Sequence, residues 1–224
     1  MLETERRKVV KYGRLLLERK LTTGTGGNLS VFNREKELMV ISPSARDYLD
    51  IDPEDTVVMN LKEEVIASSS KPSSEYQLHL LIYQERPDVR AVVHTHSVNA
   101  TAISCLNEEI PPLHYLIGFA GDKLPRAEYA LFGTRELAEN AVRSLGSSYN
   151  ATLLDNHGLL AVGRSLQQAF QTAEMLEYVA ELYVKCRSMG EPALLNEAQM
   201  KKVKEKFDSY LHSSVRDEKG GKEI

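Results

Sequence analysis

The chain is short of cysteine, of long apolar runs and of positive charge. Cys105 and Cys186 are the only cysteines in 224 residues. Two distant thiols make no disulfide framework, so the small stapled folds are excluded and a reducing compartment is expected. No stretch approaches the ~18 apolar residues of a membrane helix. The opening "MLETERRKVVKYG" has no apolar core of the kind a secretory leader carries. A cytoplasmic location without membrane contact is the expectation. The net charge is −4 and the pI about 5.9, which offers no nucleic-acid surface. An anionic small molecule would need a local pocket of donors, because the molecule as a whole does not attract it. There is no internal repeat and no low-complexity linker.

What is present is ordinary soluble material: 42% hydrophobic and 27% charged residues, enough for one domain with a real core. Val9, Val10, Tyr12, Leu15 and Leu16 give residues 3–20 a helical period. "LSVFN" and "ELMVIS" read as strands joined by the polar turn "REKE", and "TVVMNL" (56–61) as another strand. "KPSSEYQLHLLIYQERP" (71–87) reads as a helix, with Ser74 as N-cap, Gln77 completing a capping box, and Pro87 as the stop. "RAVVHTHS" (90–97) is a short β-branched strand and "NATAISCL" (99–106) helical. "IPPLHYLIGFAGDKLPRAEYALFG" mixes turns and short strands, and Thr134 caps a helix after it. "NATLLDNHGLLAVG" (150–163) reads as two strands across a tight turn, before a long helix from Ser165 to about Arg187 that Gly190 ends. Short turns between successive strands predict a mixed or antiparallel sheet with helices on its faces.

The chemistry-bearing residues cluster in a few places. In "VVHTHS", His94 and His96 share one strand face because side chains alternate, so both can reach one metal ion. A catalytic zinc site takes three protein ligands and leaves a position open. His157, in the turn "DNHGLL", is the candidate third ligand; a plain turn-capping histidine is the other reading. Glu75 lies at the first turn of its helix, where a carboxylate is favoured by the helix dipole alone; it is equally a candidate metal carboxylate. His79, four residues on, is an alternative ligand, a hydrogen-bond partner or a core histidine. "GTGGN" (24–28) has neither the Walker nor the dinucleotide pattern, but Thr25 and Asn28 beside turn amides can form an anion nest. "SPSA" (42–45) and "PSSE" (72–75) add serine-bearing turns, and Ser73 and Ser74 beside helix amides suit a phosphate.

Taken in order, "GTGGN", "KPSSE", "VVHTHS", "IPPLHYLIGFAG", "YALFGTREL" and "ATLLDNHGLL" resemble the class II aldolase/adducin family, in its L-fuculose-1-phosphate aldolase-like branch, from about residue 5 to 210. The resemblance implies a three-layer α/β/α fold around a mostly antiparallel sheet. It implies one catalytic domain over 1–212, with 213–224 a flexible tail. It implies one divalent cation per subunit, zinc first and manganese or cobalt as substitutes, on His94, His96, His157 and Glu75. Asn28, Ser44, Ser73 and Ser74 would hold the substrate phosphate. Glu75 would also be the acid/base. Tyr115 would donate a proton from a neighbouring subunit of a homotetramer whose active sites lie at subunit interfaces, and Phe132 and Tyr210 would line the aldehyde side. The implied reaction cleaves a phosphorylated sugar, a ketose 1-phosphate such as L-fuculose 1-phosphate or a 5-deoxyribulose 1-phosphate-type sugar, to dihydroxyacetone phosphate and a short aldehyde through a metal-stabilised enediolate. Two departures stand out: Ala45, where the family phosphate loop often has glycine, and "FAGD" (119–122), where smaller residues are usual. The alternatives are an L-ribulose-5-phosphate 4-epimerase, whose members usually carry Asp in place of Glu75; a methylthioribulose-1-phosphate aldolase or dehydratase; and a non-catalytic adducin-like module, which would be expected to lack the ligands.

Overall fold

A computed structural model describes residues 1–217, with side chains described as far as Phe207. Eight strands form one sheet in the order β4-β3-β2-β1-β5-β8-β7-β6. They are β1 (Asn28–Asn33), β2 (Leu38–Ile41), β3 (Val57–Asn60), β4 (Val65–Ala67), β5 (Ala91–Thr95), β6 (Arg126–Ala127), β7 (Ala151–Leu154) and β8 (Gly158–Gly163). Every pairing is antiparallel except that of β6 with β7. Helices cover both faces, giving the three-layer α/β/α arrangement. α1 (Glu3–Glu18), α3 (Val98–Ser104) and α5 (Leu166–Met189) pack on one face, and α2 (Tyr76–Glu85) and α4 (Arg135–Leu145) on the other.

Strand alternation divides the core. On β5, Ala91 and Val93 point into the cluster under α1 and α5, whereas Val92 joins the cluster under α2 and α4. His94 therefore points to the α2 side of the sheet, from the end of a fully buried central strand. Thr134 and Ser165 cap α4 and α5 as read from the sequence, their hydroxyls accepting from the Leu137 and Gln168 amides, and Gly190 closes α5.

The Ser74 cap is a correction. α2 begins at Tyr76, with Glu75 in the cap position and no side-chain cap bond. Residues 72–74 instead pair with the segment after β2: Pro43 bridges Pro72, the Ser73 amide donates to the Ser42 carbonyl, and the Ser44 amide to the Lys71 carbonyl. Long-range pairing has overridden a local helix-start signal. Gln77 donates to Glu63 rather than closing a capping box. Two further elements lie where the sequence shows no clear period: a 3-10 turn, Tyr115–Phe119, and α6 (Glu197–Asp217). Residues 218–224, most of the expected flexible tail, lie outside the described residues.

Three strand ends meet at one edge of the sheet. β1 starts where β5 ends, with Asn28 opposite His94, and β8 starts there too, with Leu159 opposite Thr95. This approach requires glycine at position 158: a Cβ there would lie 2.3 Å from the Thr95 carbonyl oxygen and within 3.4 Å of both strand histidines. We expect Gly158→Ala to lower stability by about 1–3 kcal/mol, as overpacking does. Thermal unfolding checks this; an unchanged Tm would show that β5 and β8 are not held this closely.

Candidate metal centre and active-site cavity

At that edge the side chains of Glu75, His94, His96 and His157 converge, their nearest ligand atoms all within 4.8 Å of one another. His94 Nε2 lies 2.9 Å from His96 Nε2 and 3.2 Å from His157 Nε2. The Glu75 oxygens lie 3.4 Å from His94 Nε2 and His157 Nε2. Each residue arrives differently. His94 and His96 come from the end of β5, Glu75 from the start of α2, and His157 from the β7–β8 turn. Ser104 of α3 pins that turn, its carbonyl accepting from the Asn156 amide and its hydroxyl from the His157 amide.

The electronic state of the centre follows from its hydrogen bonds. His94 Nδ1 lies 3.0 Å from the Leu159 carbonyl oxygen, which can only accept. The ring proton is therefore on Nδ1, and the bare Nε2 lone pair points at the other ligands. Burial, with two imidazole neighbours, holds the His94 pKa well below the ordinary value; burial first and His157 second push His96 down to about 4. One Glu75 oxygen, Oε1, is buried without a hydrogen-bond partner. A buried orphan oxygen and inward-facing lone pairs repel one another unless a cation lies among them. Ligand bonds of about 2.0–2.1 Å would set tetrahedral donors roughly 3.3–3.4 Å apart, close to the spacings found. The residues fit a divalent ion, and a donor set rich in imidazole suits a transition metal. The glycine turn closes this side: a Cβ on Gly26 would lie 2.8 Å from His96 Nδ1.

A cavity of about 410 Å³ opens beside the cluster. Its wall includes Thr25, Asn28, Ser44, Ser73 and Ser74, drawn from the three turns singled out in the sequence, together with Phe132, His96 and His157. No lysine or arginine is on this wall among the described residues. The Asn28 carboxamide is engaged at both ends, Nδ2 donating to Glu75 Oε2 at 2.8 Å and Oδ1 meeting His79 Nε2 at 2.5 Å. Tyr129, Ala130 and Asn156 also line the cavity, though none was singled out from the sequence as a site residue. Tyr115 does not line it; 54% exposed, it stacks loosely on Phe207. Phe132 is 63% exposed at the rim. Residues 119–122 are not on this wall, and Asp122 accepts from Tyr149 and pairs with Lys204. The side chain of Tyr210 lies outside the described residues.

Fold and site define a three-layer α/β protein with a cluster able to hold a metal ion at the end of its central strand. The sequence profile of the class II aldolase and adducin N-terminal domain matches residues 7–184, and the chain belongs to that family. It is 45% identical over 210 residues to a 5-deoxy-D-ribulose 1-phosphate aldolase of Bacillus thuringiensis, covering 94% of this chain and 98% of the relative. It is 39% identical to a 5-methylthioribulose-1-phosphate/5-deoxyribulose-1-phosphate aldolase of Rhodospirillum rubrum, covering 90% and 92%. A solved L-fuculose 1-phosphate aldolase superposes with a TM-score of 0.89 at 44% identity, covering 92% of this chain and 96% of that one.

An unfolded histidine titrates near 6.5, whereas His79 is pushed down to about 3 by burial, His96 to about 4, and His94 well below its ordinary value. Below about pH 6.5 the unfolded chain therefore binds more protons than the native one, and stability falls with falling pH. For metal-free protein between pH 6.5 and 5 we expect a slope above about 1.4 kcal/mol per pH unit, more than one proton's worth. Denaturant unfolding in chelator measures it, and a flat profile would mean these rings are not held neutral. Ala45 adopts φ 53°, a left-handed conformation costing an L-residue roughly 1–2 kcal/mol. Glycine relieves this but adds unfolded-state entropy worth about 0.4–1 kcal/mol. Ala45→Gly should thus leave Tm level or raise it by a few degrees, and a clear fall would refute the strain.

Proposed function

We propose that this chain is a metal-dependent aldolase that reversibly cleaves a ketose 1-phosphate to dihydroxyacetone phosphate and a short aldehyde. The observation that carries this reading is the Glu75, His94, His96 and His157 cluster opening onto a hydroxyl-lined cavity. The relatives named for 5-deoxyribulose 1-phosphate, its methylthio analogue and L-fuculose 1-phosphate support that substrate class. The cation proposed is Zn2+, with Mn2+ or Co2+ as substitutes. When bound, it would act as a Lewis acid on the ketose carbonyl and offset the charge that develops as the C3–C4 bond breaks.

The side chains divide the remaining work. Ser44, Ser73 and Ser74 donate to the phosphate, with Asn28 in the wall beside them. Glu75 Oε1, without a hydrogen-bond partner, would take up a proton from solvent and deliver it to C3 of the departing three-carbon fragment, and would remove that C3 proton in the reverse direction. Phe132 borders the aldehyde. Tyr115 of a second subunit is proposed as the proton carrier at the aldehyde oxygen, taking the C4 hydroxyl proton as it passes its own to solvent during cleavage and donating a proton there in the reverse direction, since in its own subunit it does not line the cavity. Exposed Tyr129, Leu131 and Phe132 near the rim support subunit contact there, in keeping with a homotetramer. Free Cys105 and Cys186 support a cytoplasmic location. No helix among the described residues is long and apolar enough to cross a membrane.

The test is release of dihydroxyacetone phosphate from L-fuculose 1-phosphate and 5-deoxyribulose 1-phosphate, side by side, with and without chelator. Chelator-sensitive release from either supports the aldolase. Silence on both from metal-loaded protein overturns it. Glu75→Gln should keep most of the metal yet lose about 10²–10⁴ in kcat, the range of a positioned acid/base; full turnover would remove Glu75 from that role.

A further inference from the structure

A line of polar side chains runs from the metal cluster into the layer between β1 and α2. Glu75 Oε2 accepts from Asn28 Nδ2 at 2.8 Å, and Asn28 Oδ1 meets His79 Nε2 at 2.5 Å. His79 Nδ1 lies 2.7 Å from Ser30 Oγ, which lies 2.6 Å from the Tyr83 hydroxyl. All five residues are buried, His79 and Ser30 completely. Burying polar groups is unfavourable unless each finds a partner, and here the partners are members of the line itself.

The line has a direction. A carboxylate oxygen only accepts, so Asn28 must present its NH2 to Glu75 and its carbonyl to His79. His79 therefore carries its proton on Nε2. Nδ1 is then an acceptor, filled by the Ser30 hydroxyl, whose oxygen accepts in turn from Tyr83. Burial keeps His79 neutral, as this alternation requires, and pushes the Tyr83 phenol up so that it retains its proton. Phe32, stacked on Tyr83 at 4.9 Å, fixes that ring. Every donor points towards Glu75. The result is asymmetric: Oε2 is held, while Oε1 is left without a hydrogen-bond partner, 3.4 Å from His157 Nε2.

We infer that His79, Ser30 and Tyr83 are positioning residues, a one-way hydrogen-bond line that acts through Asn28 to fix the Glu75 carboxylate, with one oxygen anchored and the other free for the centre. This rests on the reading of the cluster as a metal centre, but not on which sugar is cleaved. A line that served only to satisfy buried groups would stabilise the fold and leave metal binding untouched.

The test is Zn2+ affinity of metal-stripped protein, measured by competition with a chelator, for Ser30→Ala, Ser30→Thr and Tyr83→Phe, each with Glu75 present and in a Glu75→Ala background. With Glu75 present, Ser30→Ala should weaken Zn2+ binding about 10-fold or more, the usual size for loss of an outer partner. Ser30→Thr keeps the hydroxyl and should restore it. Without Glu75 the same substitutions should have almost no effect, because the line then ends on nothing. An unchanged affinity in Ser30→Ala, or equal losses in both backgrounds, overturns the inference. If Ser30→Ala does not fold, Tyr83→Phe in the two backgrounds decides it by the same comparison. Failure of the native chain to bind Zn2+ would instead strike the metal-centre reading beneath it, and a chain that binds Zn2+ but releases no dihydroxyacetone phosphate would still report on the line.

Discussion

The bond from His94 Nδ1 to the Leu159 carbonyl is the constraint on which the site depends. It crosses from the last turn of β5 to the first residues of β8, so it forms only when the two strands are in the observed register, Thr95 opposite Leu159. A slip of one residue would turn His94 to the other face of the sheet. The same register brings the His157 turn alongside the strand end. One sheet pairing thus selects the tautomer of one ligand, aims its lone pair, and delivers another ligand.

Around this constraint the backbone is crowded and locally strained. Gly27 has φ 69°, and a Cβ on it would meet the His94 carbonyl oxygen at 2.7 Å. Asn156, next to His157, has φ 54°, and Ala45 on the cavity wall φ 53°. Left-handed residues occur elsewhere in the chain as well, but these lie against the site, where surrounding structure can hold a conformation against local preference. The rest of the sheet supplies the stability that tolerates them. The delayed start of α2 belongs to the same pattern. Ser73 and Ser74 line the cavity, and their segment is paired with residues 42–44, so the helix start gives way to the cavity wall.

The sequence was most legible where periodicity was strong. The alternation of β5 put His94 and His96 on one face, and the capping hydroxyls of Thr134 and Ser165 stood where helices begin. It was less legible where geometry is long-range. Nothing local to Ser74 reports the pairing of Pro72 with Pro43. His79, four residues after Glu75, was open to being its direct partner, yet the link passes through Asn28, which is 47 residues from Glu75 in sequence. Ser30 and Tyr83 carried no signal, because a buried serine on a strand and a tyrosine in a helix read as ordinary packing. The turn at Tyr115–Phe119 mixes proline, glycine and aromatics without a period. Tyr115 stood out only through the family resemblance, since no position within one subunit explains it.

The charge of the site gives the last step. The cluster brings one carboxylate, Glu75, beside His94 and His96, which burial holds neutral, so these two rings add no positive charge. The neighbouring cavity wall has hydroxyls and turn amides but no lysine or arginine among the described residues, and the whole chain is acidic. A phosphate entering such a cavity would be repelled by Glu75 at low local dielectric. Amide dipoles and hydroxyls orient an anion but do not neutralise it. On the proposed reading a divalent cation reverses the sign, since two positive charges against one negative leave the centre net positive. Phosphate affinity and metal occupancy are then one property of the site. A lysine in the wall would separate them, and would also attract anions that lack the oxygens a metal centre can bind. On that reading, phosphate affinity would rise and fall with metal occupancy.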